Sequence, residues 1–138
     1  MRKFVLPFVA VLLLPACTLL GDTQPAATAD DMNRLEIALR RLGMAVQGLL
    51  WSGAKEDADL IALACANDPT LCSPFGDNTL ATSVIDGNAV LLLCTADKKR
   101  ALVEDIACTP TPDVKAWAAS NAPCAFTLPA QAIRDACR

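Results

Sequence analysis

Seven cysteines and no histidine bound the chemistry open to this 138-residue chain. Cys17 stands apart near the start, and Cys65, Cys72, Cys94, Cys108, Cys124 and Cys137 are spread through the rest. No two stand at Cys-x-x-Cys spacing and there is no imidazole, so the sulfur and nitrogen sets that hold zinc are missing and no metal is expected. Tyrosine is absent as well, which removes a common proton donor along with the commonest general base. Ser-His-Asp and Cys-His relays are therefore excluded. Six cysteines can close three disulfides, and the odd seventh needs its own explanation.

The other candidate groups are weaker. Ser52-Gly53-Ala54-Lys55 resembles the Ser-x-x-Lys nucleophile motif of penicillin-recognising enzymes. It lacks a Lys-Thr-Gly partner, the chain is too short for that fold, and the match reads as chance. Asp57/Asp59 and Glu104/Asp105 offer carboxylates, but neighbours one or two apart on a helix do not face each other, so they read as solvated faces. Asp86-Gly87-Asn88 lacks the other ligands of a calcium loop. Gly43, Gly48 and Gly53 do not form a phosphate cradle. Lys98-Lys99-Arg100 is a short basic run that reads as exposed surface. Neither an enzyme nor a cofactor site is expected.

The N-terminus carries the clearest signal. Met1-Arg2-Lys3 is basic, Phe4 to Ala16 is apolar, and a small residue precedes Cys17, the layout of a secretory signal peptide. Thirteen residues at about 1.5 Å each reach roughly 20 Å, short of the ~30 Å hydrocarbon core, and Pro7 and Pro15 interrupt the run, so a membrane-spanning helix is disfavoured. Ending in Leu14-Pro15-Ala16-Cys17, the segment resembles the lipobox of bacterial lipoproteins. That resemblance covers about the first eighteen residues. It implies cleavage before Cys17, acyl chains (palmitate among them) on that cysteine, and stable membrane attachment through several chains where one binds only marginally. Thr18 in place of Asp after the cysteine implies, by the same resemblance, an outer-membrane site facing the periplasm rather than the inner membrane. An oxidising periplasm permits disulfides among the remaining six cysteines.

Without Arg2 and Lys3, ten basic residues oppose fifteen acidic ones, a net charge of −5 on residues 17–138. Such a balance carries no electrostatic footprint for nucleic acid or anionic lipid.

The elements that would position these groups follow from pattern. Residues 18–29 hold Gly21, Pro25 and small polar residues without period, a tether between Cys17 and the domain. Thr28-Ala29-Asp30-Asp31 is a helix start, and Met32, Leu35, Leu39, Leu42, Val46 and Leu49 follow at helical spacing to about Trp51. That stripe reads as the core face of the helix, with a seam for a partner helix as the sharper alternative. Residues 54–66 read as a second helix, stopped by Asn67-Asp68-Pro69. Cys65 and Cys72 flank the reversal and are the favoured disulfide pair.

Residues 79–95 are ambiguous. Asp86-Gly87 between apolar flanks signals a hairpin, whereas Ala and Leu content favours helices separated at that point. The helical reading extends over 89–107, which would place Cys94 and Cys108 about 21 Å apart and forbid their bonding. Thr111 and Pro112 open a short helix bearing Trp117, and Leu128-Pro129 opens a last one with Ile133 inward and Arg134, Asp135 and Arg138 outward. The expected architecture is mainly α: a small disulfide-stapled helical domain of about five helices, with one short β-hairpin near 79–95 as the alternative.

The organisation expected is a signal peptide at 1–16, a lipidated flexible tether at 17–29 and a single disulfide-bonded domain at 30–138. The function expected is that of a membrane-anchored periplasmic lipoprotein that binds another protein as an adaptor, assembly or pilot factor of an envelope complex. The alternative is an inhibitor or immunity lipoprotein guarding against a toxin or lytic enzyme.

Overall fold

Helix α1 (Ala29–Trp51) begins at a reciprocal cap. The computed structural model describes residues 28–109, the backbone of 115 and 116, and residues 121–138. Thr28 Oγ1 accepts from the Asp31 N–H at 3.2 Å, while the Asp31 carboxylate accepts from the Thr28 N–H at 3.3 Å and the Thr28 hydroxyl at 2.6 Å. Two orphan donors of the first turn are thus satisfied together. The hydroxyl bond first, and the backbone bond second, hold the Asp31 carboxyl below the ordinary carboxylate range. The helix ends where Ser52 donates its N–H and its hydroxyl back to Gly48 O, and Gly53 turns the chain at φ 96°.

The predicted stripe is the core face of α1. Met32, Leu39, Leu42 and Val46 are buried, and Leu35 and Leu49 pack partly buried against the same core. The stripe is therefore closed to any partner, and the seam reading is corrected. Gly43 lets the helix approach closely, since a Cβ there would meet the Ala107 side chain at 3.4 Å and Leu91 at 3.6 Å.

The second helix is shorter than its sequence pattern suggests. Residues 54–59 form turns, and α2 (Leu60–Asn67) starts only where Asp59 caps it by accepting from the Ala62 N–H at 3.0 Å. Two single 3₁₀ turns, Pro69–Leu71 and Ser73–Phe75, carry the chain back, and the Cys65–Cys72 bond closes the reversal as expected. Thr70 donates both its hydroxyl and its N–H to Asp68 at the start of that reversal, bonds that keep the Asp68 carboxyl below its ordinary value.

The remainder overturns the mainly helical reading with its five helices. Strands β1 (Thr79–Ile85), β2 (Asn88–Cys94), β3 (Ala101–Ile106) and the two-residue β4 (Lys115–Ala116) form an antiparallel sheet in that order. The protein is a small α/β domain, with α3 (Ala130–Ala136) as the third α-helix among the described residues. Ile85 pairs with Asn88 across a two-residue turn in which Asp86 and Gly87 have φ of 52° and 78°. Positive φ at both central positions is the type I′ geometry whose twist matches a hairpin. The helix expected over 89–107 is replaced by β2, a turn and β3. Of the helix expected near Trp117, positions 115 and 116 are strand, and Thr111, Pro112 and Trp117 lie outside the described residues.

The strands misread as helix because they are covered on both faces. On one side Ala89, Leu91, Leu93 and Val103 meet α1 and α2. On the other, Val90 and Ile106 meet Ile133 of α3, and Leu92, Cys94 and Ala101 meet Ala122 and Cys124. A strand buried on both faces shows no polar alternation. Cys94 bonds Cys124 and Cys108 bonds Cys137, with Cα atoms 5.7 and 5.6 Å apart, so all six candidate cysteines are paired. Cys94 and Cys108 do pair elsewhere, but because they end different strands and not because a helix separates them. Ile133 faces inward, and Arg134, Asp135 and Arg138 face solvent, as expected.

Gln47 locks helix to hairpin. Fully buried, it donates to Gly87 O and accepts from the Ala89 N–H, both at 2.9 Å. Gln47→Leu removes both bonds while keeping the volume, and is expected to cost about 2–4 kcal/mol in denaturant unfolding. A loss under about 0.5 kcal/mol would show that the bridge contributes nothing.

Candidate functional site

Arg40 and Arg41 leave α1 about 100° apart. Arg41 is exposed, whereas Arg40 turns toward the end of β3. Its Nη1 donates to Ile106 O at 3.1 Å, Thr109 Oγ1 at 3.3 Å and Ala107 O at 3.4 Å, and lies 3.6 Å from the buried Asp105 carboxylate. Thr109 in turn donates to Ile106 O at 3.0 Å. One guanidinium thus gathers the chain as it leaves the sheet.

Beside this knot lies an open cleft of about 240 Å³, formed by Arg40, Met44, Gln47 and Trp51 of α1 and by Ala107, Cys108 and Thr109. Its polar groups are already engaged: Gln47 in the hairpin bridge, Arg40 in the knot, and Cys108 in its disulfide. What remains presented is apolar. Met44 is 60% and Trp51 74% exposed, and Ile37, one heptad before Met44, is 57% exposed. The arrangement suits recognition by shape and apolar contact.

The carboxylates read as solvated surface divide. Asp57 and Asp59 are exposed, the latter as the α2 cap. Glu104 and Asp105 are fully buried, which corrects the expectation. Adjacent strand residues point to opposite faces, so each acid finds a different partner. Asp105 meets Arg40 on the helical side. On the other side Glu104 accepts from the Thr127 N–H at 3.0 Å, the Thr127 hydroxyl at 2.7 Å and the Leu128 N–H at 3.1 Å. Both are structural clamps.

The remaining motifs have local roles. Ser52 caps α1 and Lys55 is exposed in the following turn. Asp86 pairs with Arg134 at 3.0 Å on the surface. Lys98, Lys99 and Arg100 are exposed in the turn joining β2 to β3, where Asp97 accepts from the Thr95 hydroxyl and, at 3.0 Å, from the Lys99 N–H. Those bonds, the hydroxyl first, hold the Asp97 carboxyl below its ordinary value, and it stays charged within the basic run. Among the described residues no group of metal-ligating side chains is assembled, and no helix is long and apolar enough to cross a membrane. Cys17 and its flanking segment lie outside the described residues.

Arg40 and Gln47 carry no signal in a helical pattern beyond lying off the main stripe. The apolar spacing of Ile37, Met44 and Trp51, seven and seven, was legible but was masked by the stronger buried stripe. No protein-family model, curated protein or solved structure matches this chain.

Arg40→Met removes the guanidinium beside buried Asp105 and is expected to cost about 3–5 kcal/mol, with Arg40→Lys intermediate because its ammonium keeps the charge but stops one bond short of where Nη1 meets its acceptors. Equal stability of all three chains in urea would refute the knot. Because the folded Asp97 value is depressed, the stability it lends is present above the unfolded carboxylate value and is lost as pH falls through the folded one. Thr95→Val is expected to raise the Asp97 midpoint in an NMR carboxyl titration; an unmoved midpoint would show that the hydroxyl is not the cause.

Proposed function

We propose that this protein is a lipid-anchored lipoprotein of the bacterial envelope, facing the periplasm, that acts by binding another protein. The observation that carries the reading is the cysteine count. Three disulfides consume Cys65, Cys72, Cys94, Cys108, Cys124 and Cys137, and the cysteine left over is the one in Leu14-Pro15-Ala16-Cys17. An acylated Cys17 accounts for the odd number, and export to an oxidising compartment accounts for the pairs.

Binding is favoured over catalysis by the groups the cleft presents. Its rim is thioether and indole, and the polar groups at its base are bonded to the protein's own backbone. In this reading the stretch between Cys17 and the Thr28 cap tethers the domain near the outer membrane, two residues shorter than the 18–29 expected because Thr28 and Ala29 already belong to α1, and the acidic balance disfavours nucleic acid as a partner.

Intact-mass measurement of the mature chain is expected to show it beginning at Cys17 with acyl chains attached, and membrane fractionation to place it with the envelope. Cys17→Ser is expected to release a chain with all three disulfides intact into the soluble periplasmic fraction. An unmodified Cys17, or a wild-type chain already soluble, would overturn the anchor.

A further inference from the structure

Strand β1 (Thr79–Ile85) is the long edge of the sheet, and among the described residues no strand pairs with its outer side. Ala89, opposite Val84, donates its N–H to Gln47 and accepts at its C=O from the Ala107 N–H, both away from β1. Antiparallel pairs alternate, so Thr79, Ala81, Ser83 and Ile85 bond to β2 while Leu80, Thr82 and Val84 turn their N–H and C=O groups outward. Among the described residues those outward groups meet no partner. Proteins guard a free edge with charge, proline, a bulge or a very short strand. The opposite edge, β4, is two residues long. By contrast β1 has seven residues, no charged side chain, no proline and an unbroken register with β2. Its centre adds a second unmet group, since the Thr82 hydroxyl is buried with no hydrogen-bond partner.

We propose that β1 pairs antiparallel with β1 of a second copy, joining two sheets into one across a twofold axis at Thr82. The strand selects this occupant because it matches itself about that residue. Thr82 falls opposite Thr82 of the copy, Leu80 opposite Val84, Ala81 opposite Ser83 and Thr79 opposite Ile85. Aliphatic thus meets aliphatic, small meets small and β-branched meets β-branched. Each outward residue then exchanges two backbone bonds with its opposite. Leu80 and Val84 pack on the side covered by α1 and α2, so that core continues across the axis. The two Thr82 side chains become neighbours on the same face, where hydroxyl bonds hydroxyl. Just past the ends, Asp86, already paired with Arg134, falls opposite Asn78 and not opposite a carboxylate. The contact is isologous and closes at two copies, because it uses the one long edge among the described residues. This goes beyond the binding role above and stands with or without the lipid anchor.

The test uses the full chain extracted from its native cells into mild detergent. Sedimentation equilibrium is expected to show a reversible equilibrium between monomer and dimer. Amide exchange followed by NMR is expected to slow about tenfold or more at Leu80, Thr82 and Val84 as rising concentration drives dimerisation, while Ala81, Ser83 and Ile85 stay protected throughout. In a mixed-isotope sample an Hα–Hα contact between Ala81 of one copy and Ser83 of the other fixes the register, since the Cα atoms of such a pair approach to about 4.5 Å. Thr82→Pro removes an outward N–H that β2 does not use, at a position where an edge strand tolerates proline. With the three disulfides shown intact by mass mapping, it is expected to weaken dimerisation about tenfold or more. A wild-type chain monomeric at every concentration, as when the edge is kept for a strand of another protein, overturns the proposal. So does open-ended assembly, a proline chain that dimerises like wild type, or a dimer whose three outward amides exchange as in the monomer. The exchange readout needs no variant, so it decides between the outcomes even where the proline chain fails to fold.

Discussion

The β2–β3 hairpin has to be covered on two faces, and the described residues hold one long helix with which to do it. Helix α1, backed by α2, closes the first face with Leu39, Leu42 and Val46. Among the described residues the second face receives the segment 121–129 and the seven-residue α3, whose buried side chain is Ile133. A helix of two turns is not stable by itself, and so little apolar area would not hold it in place. Glu104 compensates. A buried carboxylate is costly unless hydrogen-bonded, and here it takes up the N–H groups of Thr127 and Leu128 just before α3, together with the Thr127 hydroxyl. The charge that would have destabilised the sheet fixes its thin cover.

Two disulfides finish that arrangement from the ends of the strands. Cys94, closing β2, reaches Cys124, and Cys108, just beyond β3, reaches Cys137. Sequence separations of 30 and 29 imply loop-closure terms of about 3–4 kcal/mol apiece in the unfolded chain. The two loops overlap in sequence, so the second constrains a chain already shortened by the first and the terms are not additive. The third bond, Cys65–Cys72, spans 7 residues and secures a local reversal instead of a layer. The second face thus depends on two disulfides, bonds that an oxidising compartment permits.

Legibility in the sequence followed burial. α1 was readable because one face is wet and the other dry, and its 3-4-3 spacing survives intact from Met32 to Leu49. The Asp86-Gly87 turn was also readable, but its flanks were not. Asn88 to Cys94 is apolar at nearly every position because both faces of β2 are covered, and an unbroken apolar run fits helix or strand equally. The adjacent acids of β3 compounded the error. On a helix Glu104 and Asp105 would share a solvated side; on a strand they part to opposite faces, and only tertiary partners, Arg40 and the 127–128 backbone, make their burial tolerable. No local pattern announces partners 65 and 23 residues away.

The two faces of α1 explain how one helix serves fold and surface without conflict. Its inward residues are committed: Leu39 and Leu42 to the sheet, Gly43 to close approach, Gln47 to the hairpin turn and Arg40 to the end of β3. The register of the helix is therefore set entirely from inside. On the outer half Ile37, Met44 and Trp51 stay largely exposed, the last two along the cleft beside Ala107, Cys108 and Thr109. Exposed side chains of that size weaken solubility, and polar residues at those positions would have served the helix equally well. Arg34 and Arg41 stand at the surface near the exposed carboxylates of Asp31 and Asp68, in contrast to Arg40 beside the buried Asp105. Every group that fixes the position of α1 thus lies on one half of the helix, and the other half is left to surface side chains.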